Sequence, residues 1–178
     1  MNAARRRGRP IVASAHLVSE QAAELSELEF GLMTATNAFN RWVVRCMSAA
    51  GSPDLGALDV LVLHQVNHRS RRKKLADICF LLNIEDSHTV TYALRKLTRL
   101  GLIAGEKSGK EIHYATTRAG EELCERYRQV REDCLISALE AFSPAGAEEL
   151  NEQAGAAASL LRAISGLYDQ AARAATSL

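Results

Sequence analysis

The chain has 178 residues, of which 47% are hydrophobic and 24% charged, and its formal net charge is +1. That length can bury a core without disulfide or metal staples, and the composition is that of a globular chain, which excludes a disordered one. No apolar run nears the ~20 residues that a bilayer crossing needs, so a membrane partner is excluded.

The charge is unevenly spread. Residues 1–54 carry a net +1, residues 55–118 a net +5 and residues 119–178 a net −5. A basic middle beside an acidic end suits a segment that meets a polyanion. Cys46, Cys79, Cys124 and Cys134 have no metal-ligand spacing, and the basic N-terminus lacks the apolar stretch of a secretion signal. They read as thiols in a reducing cytoplasm. Cys46 and Cys79 fall on apolar faces as inert core thiols, with Cys46 the candidate if one senses oxidants. His64 and His68 lie one helical turn apart with no carboxylate or cysteine at matching spacing, so they read as a packed or half-exposed pair and no metal is expected.

Residues 1–18 read as a basic flexible arm. From Ser19 to about Ala49, Leu25, Leu28, Leu32, Ala35, Phe39, Trp42 and Cys46 recur at spacings of 3 and 4, one apolar stripe on a long helix. Gly51-Ser52-Pro53-Asp54 ends it. A second helix from Leu58 to about Val66 is apolar on nearly every side and so is expected among other helices. A third is predicted from Lys73 to Leu82 with Leu75, Ile78, Cys79 and Leu82 inward. Asp86 or Ser87 can cap a fourth, which runs to Leu100 and ends at Gly101.

Leu102-Ile103-Ala104 and Ile112-His113-Tyr114-Ala115 flank a polar tip at residues 106–110, which predicts a hairpin. Thr117 caps a fifth helix whose inner face is Ala119, Leu123, Tyr127, Val130, Cys134 and Ala138. Ser143-Pro144 stops it and starts the last helix. There Leu150, Ala154, Ala157, Leu161, Ile164, Tyr168, Ala171 and Ala175 form a seam that calls for a helical partner. Two such stripes outside a small lobe predict an isologous homodimer.

Helix, helix, turn, helix and two-stranded ribbon is the order of a winged helix-turn-helix. The fold class is therefore mainly α, with a small β-hairpin wing and long N- and C-terminal helices for dimerisation. The expected division is an arm at 1–18, a dimerisation helix at 19–54, a DNA-binding domain at 55–118 and dimerisation helices at 119–178. In the fourth helix, Val90, Ala93, Leu94 and Leu97 share one face. Ser87, His88, Thr91, Tyr92 and Arg95 lie on the other. Each is a hydrogen-bond donor and none is acidic, which suits the major groove of double-stranded DNA. Arg69, Arg71, Arg72, Lys73 and Lys74 precede the third helix, and Lys107 and Lys110 lie at the hairpin tip. These cations are expected to serve phosphates.

Leu75-Ala76 through Thr89-Val90-Thr91, then Leu94-Arg95-Lys96-Leu97, Gly101-Leu102-Ile103 and Thr117-Arg118-Ala119-Gly120, resemble the MarR family of bacterial regulators. The resemblance implies a cytoplasmic, nucleoid-associated homodimer with two winged lobes. It implies a recognition helix bearing Ser87, His88, Thr89, Thr91, Tyr92, Arg95 and Lys96. It also implies control by a small-molecule effector, for which Trp42, Arg45 and Tyr127 are the candidate lining. The family's wing usually carries Asp-x-Arg, whereas the matching stretch here is Ser108-Gly109-Lys110-Glu111-Ile112. Arg7-Gly8-Arg9-Pro10 resembles the core of an AT-hook, which would lay Arg7 and Arg9 in a narrow minor groove.

No nucleophile motif, phosphate-binding glycine loop or metal set is present in the sequence, so neither an enzyme nor a cofactor is expected. The expectation is a sequence-specific transcriptional regulator, a repressor. The alternatives are a winged-helix adaptor that contacts proteins and a low-specificity structural DNA binder.

Overall fold

The computed structural model describes His16, Val18, Ser19, residues 21–142 and residues 147–178. Arg7, Arg9 and the Ser143-Pro144 helix boundary lie outside the described residues. The chain divides into two compact units that meet at Arg128 and Gln129.

The first unit contains α1 (Ala23–Ala49), α2 (Ala57–Asn67), α3 (Leu75–Leu82), α4 (Ser87–Arg99), β1 (Ile103–Ser108), β2 (Glu111–Thr116) and most of α5 (Arg118–Arg131). This is the predicted winged helix-turn-helix. Helix α2 sits at its centre, against α1, α3, α4 and β2. Val60, Val62, Leu63 and Val66 are all buried, as expected of a helix apolar around its circumference. Val43, Cys46 and Met47 of α1, Ile78 of α3 and Leu123 of α5 complete the core around it.

The termini of α4 follow from their residues. Asp86 is the N-cap, and its carboxylate accepts from the His88 N–H at 2.9 Å. At the other end Gly101, at φ +70°, donates its N–H to the Thr98 carbonyl, and the Leu102 N–H donates to Leu97. That pair of bonds satisfies the last carbonyls, and the left-handed backbone it needs favours glycine. The Thr117 hydroxyl accepts from the Gly120 N–H at 3.2 Å and so caps α5.

Three predicted boundaries or faces shift. Helix α3 begins at Leu75, not Lys73, because Lys73 pairs with Tyr114 of β2 as an isolated β-bridge. Both strands extend further than predicted and meet at a two-residue turn, Gly109-Lys110, with Gly109 at φ +63°. On α5, Leu123 and Tyr127 are buried as expected, but Ala119 is exposed and Gly120 and Cys124 are buried instead. The cause is close backbone approach: a Cβ on Gly120 would lie 2.0 Å from the Leu102 carbonyl oxygen. The second unit holds the end of α5, a π-helical turn (Glu132–Ile136), α6 (Ser137–Phe142) and α7 (Ala147–Ala175). Cys134 and Ala138, placed on an inner face by their spacing, are exposed there. No helix among the described residues is long and apolar enough to cross a membrane.

His64 of α2 stacks edge-on against the Tyr127 ring of α5, with centroids 4.5 Å apart. Its Nε2 is buried without a hydrogen-bond partner. Burial holds its pKa below the ordinary 6.5. The unfolded chain therefore binds the proton more readily, and stability must fall as pH drops below 6.5 toward the folded-state pKa. Thermal unfolding followed above and below that pH should show the loss in the wild type and a flatter profile in His64→Phe.

Candidate nucleic-acid interface

The geometry of α4 begins with its buried face. Val90, Ala93, Leu94 and Leu97 are all buried, and the helix rests on α2, α3 and β1. One apolar side chain on each of these positions leaves the opposite face no choice but solvent. Ser87, His88, Thr89, Tyr92 and Arg95 are exposed there, with Tyr92 at 69% despite its large ring.

The two threonines differ from the expectation of free donors. Thr89 donates its hydroxyl to the Asp86 carbonyl at 2.8 Å, and half-buried Thr91 donates to Ser87 at 2.9 Å. Each then offers acceptor lone pairs to a ligand. The remaining donors on this face are the Ser87 hydroxyl, His88, Tyr92 and the Arg95 guanidinium.

Lys96, expected on the DNA-facing side, is placed elsewhere. Its ammonium bonds Asp59 Oδ2 at 2.6 Å and the Asp54 carbonyl at 2.6 Å. The same Asp59 oxygen accepts from the Gly56 N–H at the start of α2, at 2.9 Å. One carboxylate thus fastens α4 to the N-terminus of α2. The helical period explains the placement, since Lys96 follows Arg95 by 100° and turns back toward the lobe.

Lys73 is also inside, at 8% exposure. Its ammonium donates to the carbonyls of His68 at 2.6 Å and Arg71 at 3.3 Å. Desolvation first, then the neighbouring Arg71, lower its pKa, with Asp77 opposing and Arg69 adding to the drop. It organises the α2–α3 connection from that position. Arg72 pairs with Glu106 of β1, and Lys74 pairs with Glu111 of β2 at 2.6 Å. The Glu111 hydrogen bond holds the Lys74 pKa above its usual value. Lys107 lies one pair from the hairpin turn and Lys110 within it, both exposed.

Arg45 lines a shallow recess of about 330 Å³ with Asn40, Arg41, Val44 and Ala57. Trp42 and Tyr127 are not part of it, and the Tyr127 ring is taken up by His64 in the core. Two of the four thiols are poorly placed for redox chemistry. Burial pushes Cys124 up to about 11, and Cys46 is buried with its Sγ donating to the Tyr127 carbonyl at 3.5 Å. No cluster of His, Cys, Asp and Glu among the described residues could hold a metal ion.

Lys96→Met should leave the Asp59 carboxylate with one partner fewer and cost about 1–3 kcal/mol of stability. Lys110→Ala should stay within about 0.5 kcal/mol of wild type. Chemical denaturation of both variants checks the difference.

Comparison with known proteins agrees with this geometry. Residues 55–120 match the family model described as a winged helix DNA-binding domain. No curated protein matches the sequence. Among solved structures, a MarR family transcription regulator is 16% identical at a TM-score of 0.67, covering 84% of this chain and 95% of its own. AbfR of Staphylococcus epidermidis is 19% identical at 0.65, covering 83% and 96%. A mutant MarR from E. coli complexed with operator DNA is 17% identical at 0.62, covering 82% and 99%. The chain is a winged-helix protein with the fold of the MarR-family regulators.

Proposed function

We propose that the chain is a MarR-family transcriptional regulator, a cytoplasmic repressor that binds double-stranded DNA sequence-specifically as a homodimer. The observation that carries this reading is the two-sided α4, with its aliphatic face in the core and Ser87, His88, Tyr92 and Arg95 bare on the other side. Such a helix fits the major groove, where Arg95 can fork onto guanine O6 and N7. Lys107 and Lys110 on the wing serve the backbone or the adjacent groove. Structural relatives bound to DNA, the E. coli MarR mutant and Streptococcus pneumoniae FabT, support the same partner. The four free cysteines suit a reducing compartment, and no catalytic step is part of this reading.

Dimerisation is supported by apolar side chains that each unit leaves in solvent. On α1, Met33 and Phe39 are exposed, and on α7, Leu160, Leu161 and Leu167 are. Apolar surface gathered on long helices marks an association face. Two α4 helices about 34 Å apart would then enter successive major grooves, and an effector would act by changing that spacing.

Titration against a selected operator and a random duplex at two salt concentrations tests the reading. A regulator should prefer its operator by at least about 10³-fold. A structural binder would show the salt slope without the preference, and a protein adaptor would show neither. Arg95→Ala should cost about 1–3 kcal/mol on operator and relax base preference, whereas Lys107→Ala should weaken all sequences alike. Equal losses for Arg95→Ala on both duplexes would refute the guanine contact.

Leu161→Asp should convert the dimer to monomer in light scattering and abolish operator binding at the same protein concentration. A wild-type monomer that still binds operator tightly would overturn the dimeric reading.

A further inference from the structure

Beside the wing, the connection from α2 to α3 closes a recess of about 370 Å³ lined by His68, Arg69, Arg71, Arg72, Lys73, Asp77 and Leu81. Three features set it apart from a solvated run of cations. Arg69 adopts φ +61°, ψ +19°, a left-handed conformation that a side chain other than glycine or asparagine takes at a cost. The loop is held in that shape from within, by the buried Lys73 ammonium on the His68 and Arg71 carbonyls. Finally, cations outnumber acids in the lining, where Asp77 is the carboxylate against Arg69, Arg71, Arg72 and Lys73. Asp77 accepts the Lys74 N–H at 3.0 Å, and Glu106 is taken by Arg72. Among the described residues, no carboxylate pairs with Arg69 or Arg71.

We propose that this recess binds the phosphate group of a small organic phosphate, with Arg69 and Arg71 as the fork and Leu81 as the wall for its apolar part. Guanidinium groups match the oxygens of a phosphate two at a time, which a lysine cannot do. The volume lies at the small end of ligand pockets, ~300–1,000 Å³, so it takes a body of about one ring beyond the phosphate. Leu81 is half in solvent, at 52%, and gains burial only when something apolar lies against it. Arg71 and Arg69 both disfavour the charge on Lys73, and Asp77 opposes them. An anion in the recess relieves that repulsion. Phosphate chemistry could also come from a DNA backbone, but that source would leave Leu81 without a role.

The calorimetric test uses the full chain without DNA, so that it stands apart from the regulator reading. Phenyl phosphate and inorganic phosphate are titrated by calorimetry into wild type, Arg69→Asn/Arg71→Gln, Leu81→Asn and the remote control Arg118→Gln. Asparagine is chosen at 69 because it tolerates the left-handed backbone. Phenyl phosphate should bind one site per chain, and the double variant should lose at least about tenfold. Leu81→Asn should erase the preference for phenyl phosphate over inorganic phosphate, and Arg118→Gln should match wild type. Equal affinity in wild type and double variant, or an equal loss in Arg118→Gln, would overturn the proposal. So would a double variant whose salt slope on random duplex falls by about two, because the arginines would then be serving DNA phosphates.

Discussion

Everything that faces outward from this lobe is aimed by the way α4 is held. Its apolar stripe is locked against α2 by Val90, Ala93, Leu94 and Leu97, and rotation about the helix axis is further resisted by the Lys96–Asp59 bond. Burial of four such side chains contributes several kcal/mol at ~25 cal/mol per Å², against about 1–3 kcal/mol for a hydrogen bond to a charged group. The apolar stripe therefore supplies the adhesion. The lysine supplies the angle, because it is directional and its partner is itself fixed by the Gly56 N–H. A helix held both ways presents Arg95 and Tyr92 from a fixed backbone.

The acidic residues of the lobe are used the same way. Asp59, Asp77, Asp86, Glu106 and Glu111 each meet a specific donor: Lys96, the Lys74 N–H, the His88 N–H, Arg72 and Lys74. Cations that a simple count assigns to phosphates are thereby split into two groups. Lys73, Lys74, Lys96 and Arg72 fasten parts of the lobe together, whereas Arg69, Arg71, Arg95, Lys107 and Lys110 keep their charge for something else. The exposed pairs add little stability individually. Their effect is to orient the wing against the α2–α3 connection, beside the β-bridge from Lys73 to Tyr114.

This division marks the limit of what the sequence discloses. Periodicity suffices for α4, since spacings of 3 and 4 separate Val90, Ala93, Leu94 and Leu97 from their exposed neighbours without knowledge of anything else. Turn chemistry suffices for Gly101 and Thr117, because a left-handed C′ and a hydroxyl cap are local needs. The inward turn of Lys96 was also legible, as the 100° step from Arg95 fixes it, but a basic residue in a basic helix reads as a DNA contact until Asp59 is seen across the gap. Lys73 and Gly120 depend on partners 41 and 18 residues away, Tyr114 and the Leu102 carbonyl. Nothing local encodes either approach. Likewise Trp42, Arg45 and Tyr127 share a character suited to a pocket, and only packing reveals that the Tyr127 ring meets His64.

The exposed chemistry of α4 also says why a single lobe falls short as a reader of sequence. Ser87, His88, Tyr92 and Arg95 offer few base contacts, and each good one discriminates by about 1–3 kcal/mol at most. Histidine and serine contacts fall at the low end, and a tyrosine often serves a phosphate. One copy thus reaches the lower edge of the ~4–10 kcal/mol that separates specific from non-specific sites. Two copies on one duplex reach the middle of that range, provided their spacing is rigid. The unburied leucines of α7 and the Met33 and Phe39 side chains of α1 are where such rigidity would come from. On this view the long helices are not an appendage to the winged lobe. In the proposed homodimer they would convert a helix with too few contacts into half of a reader with enough.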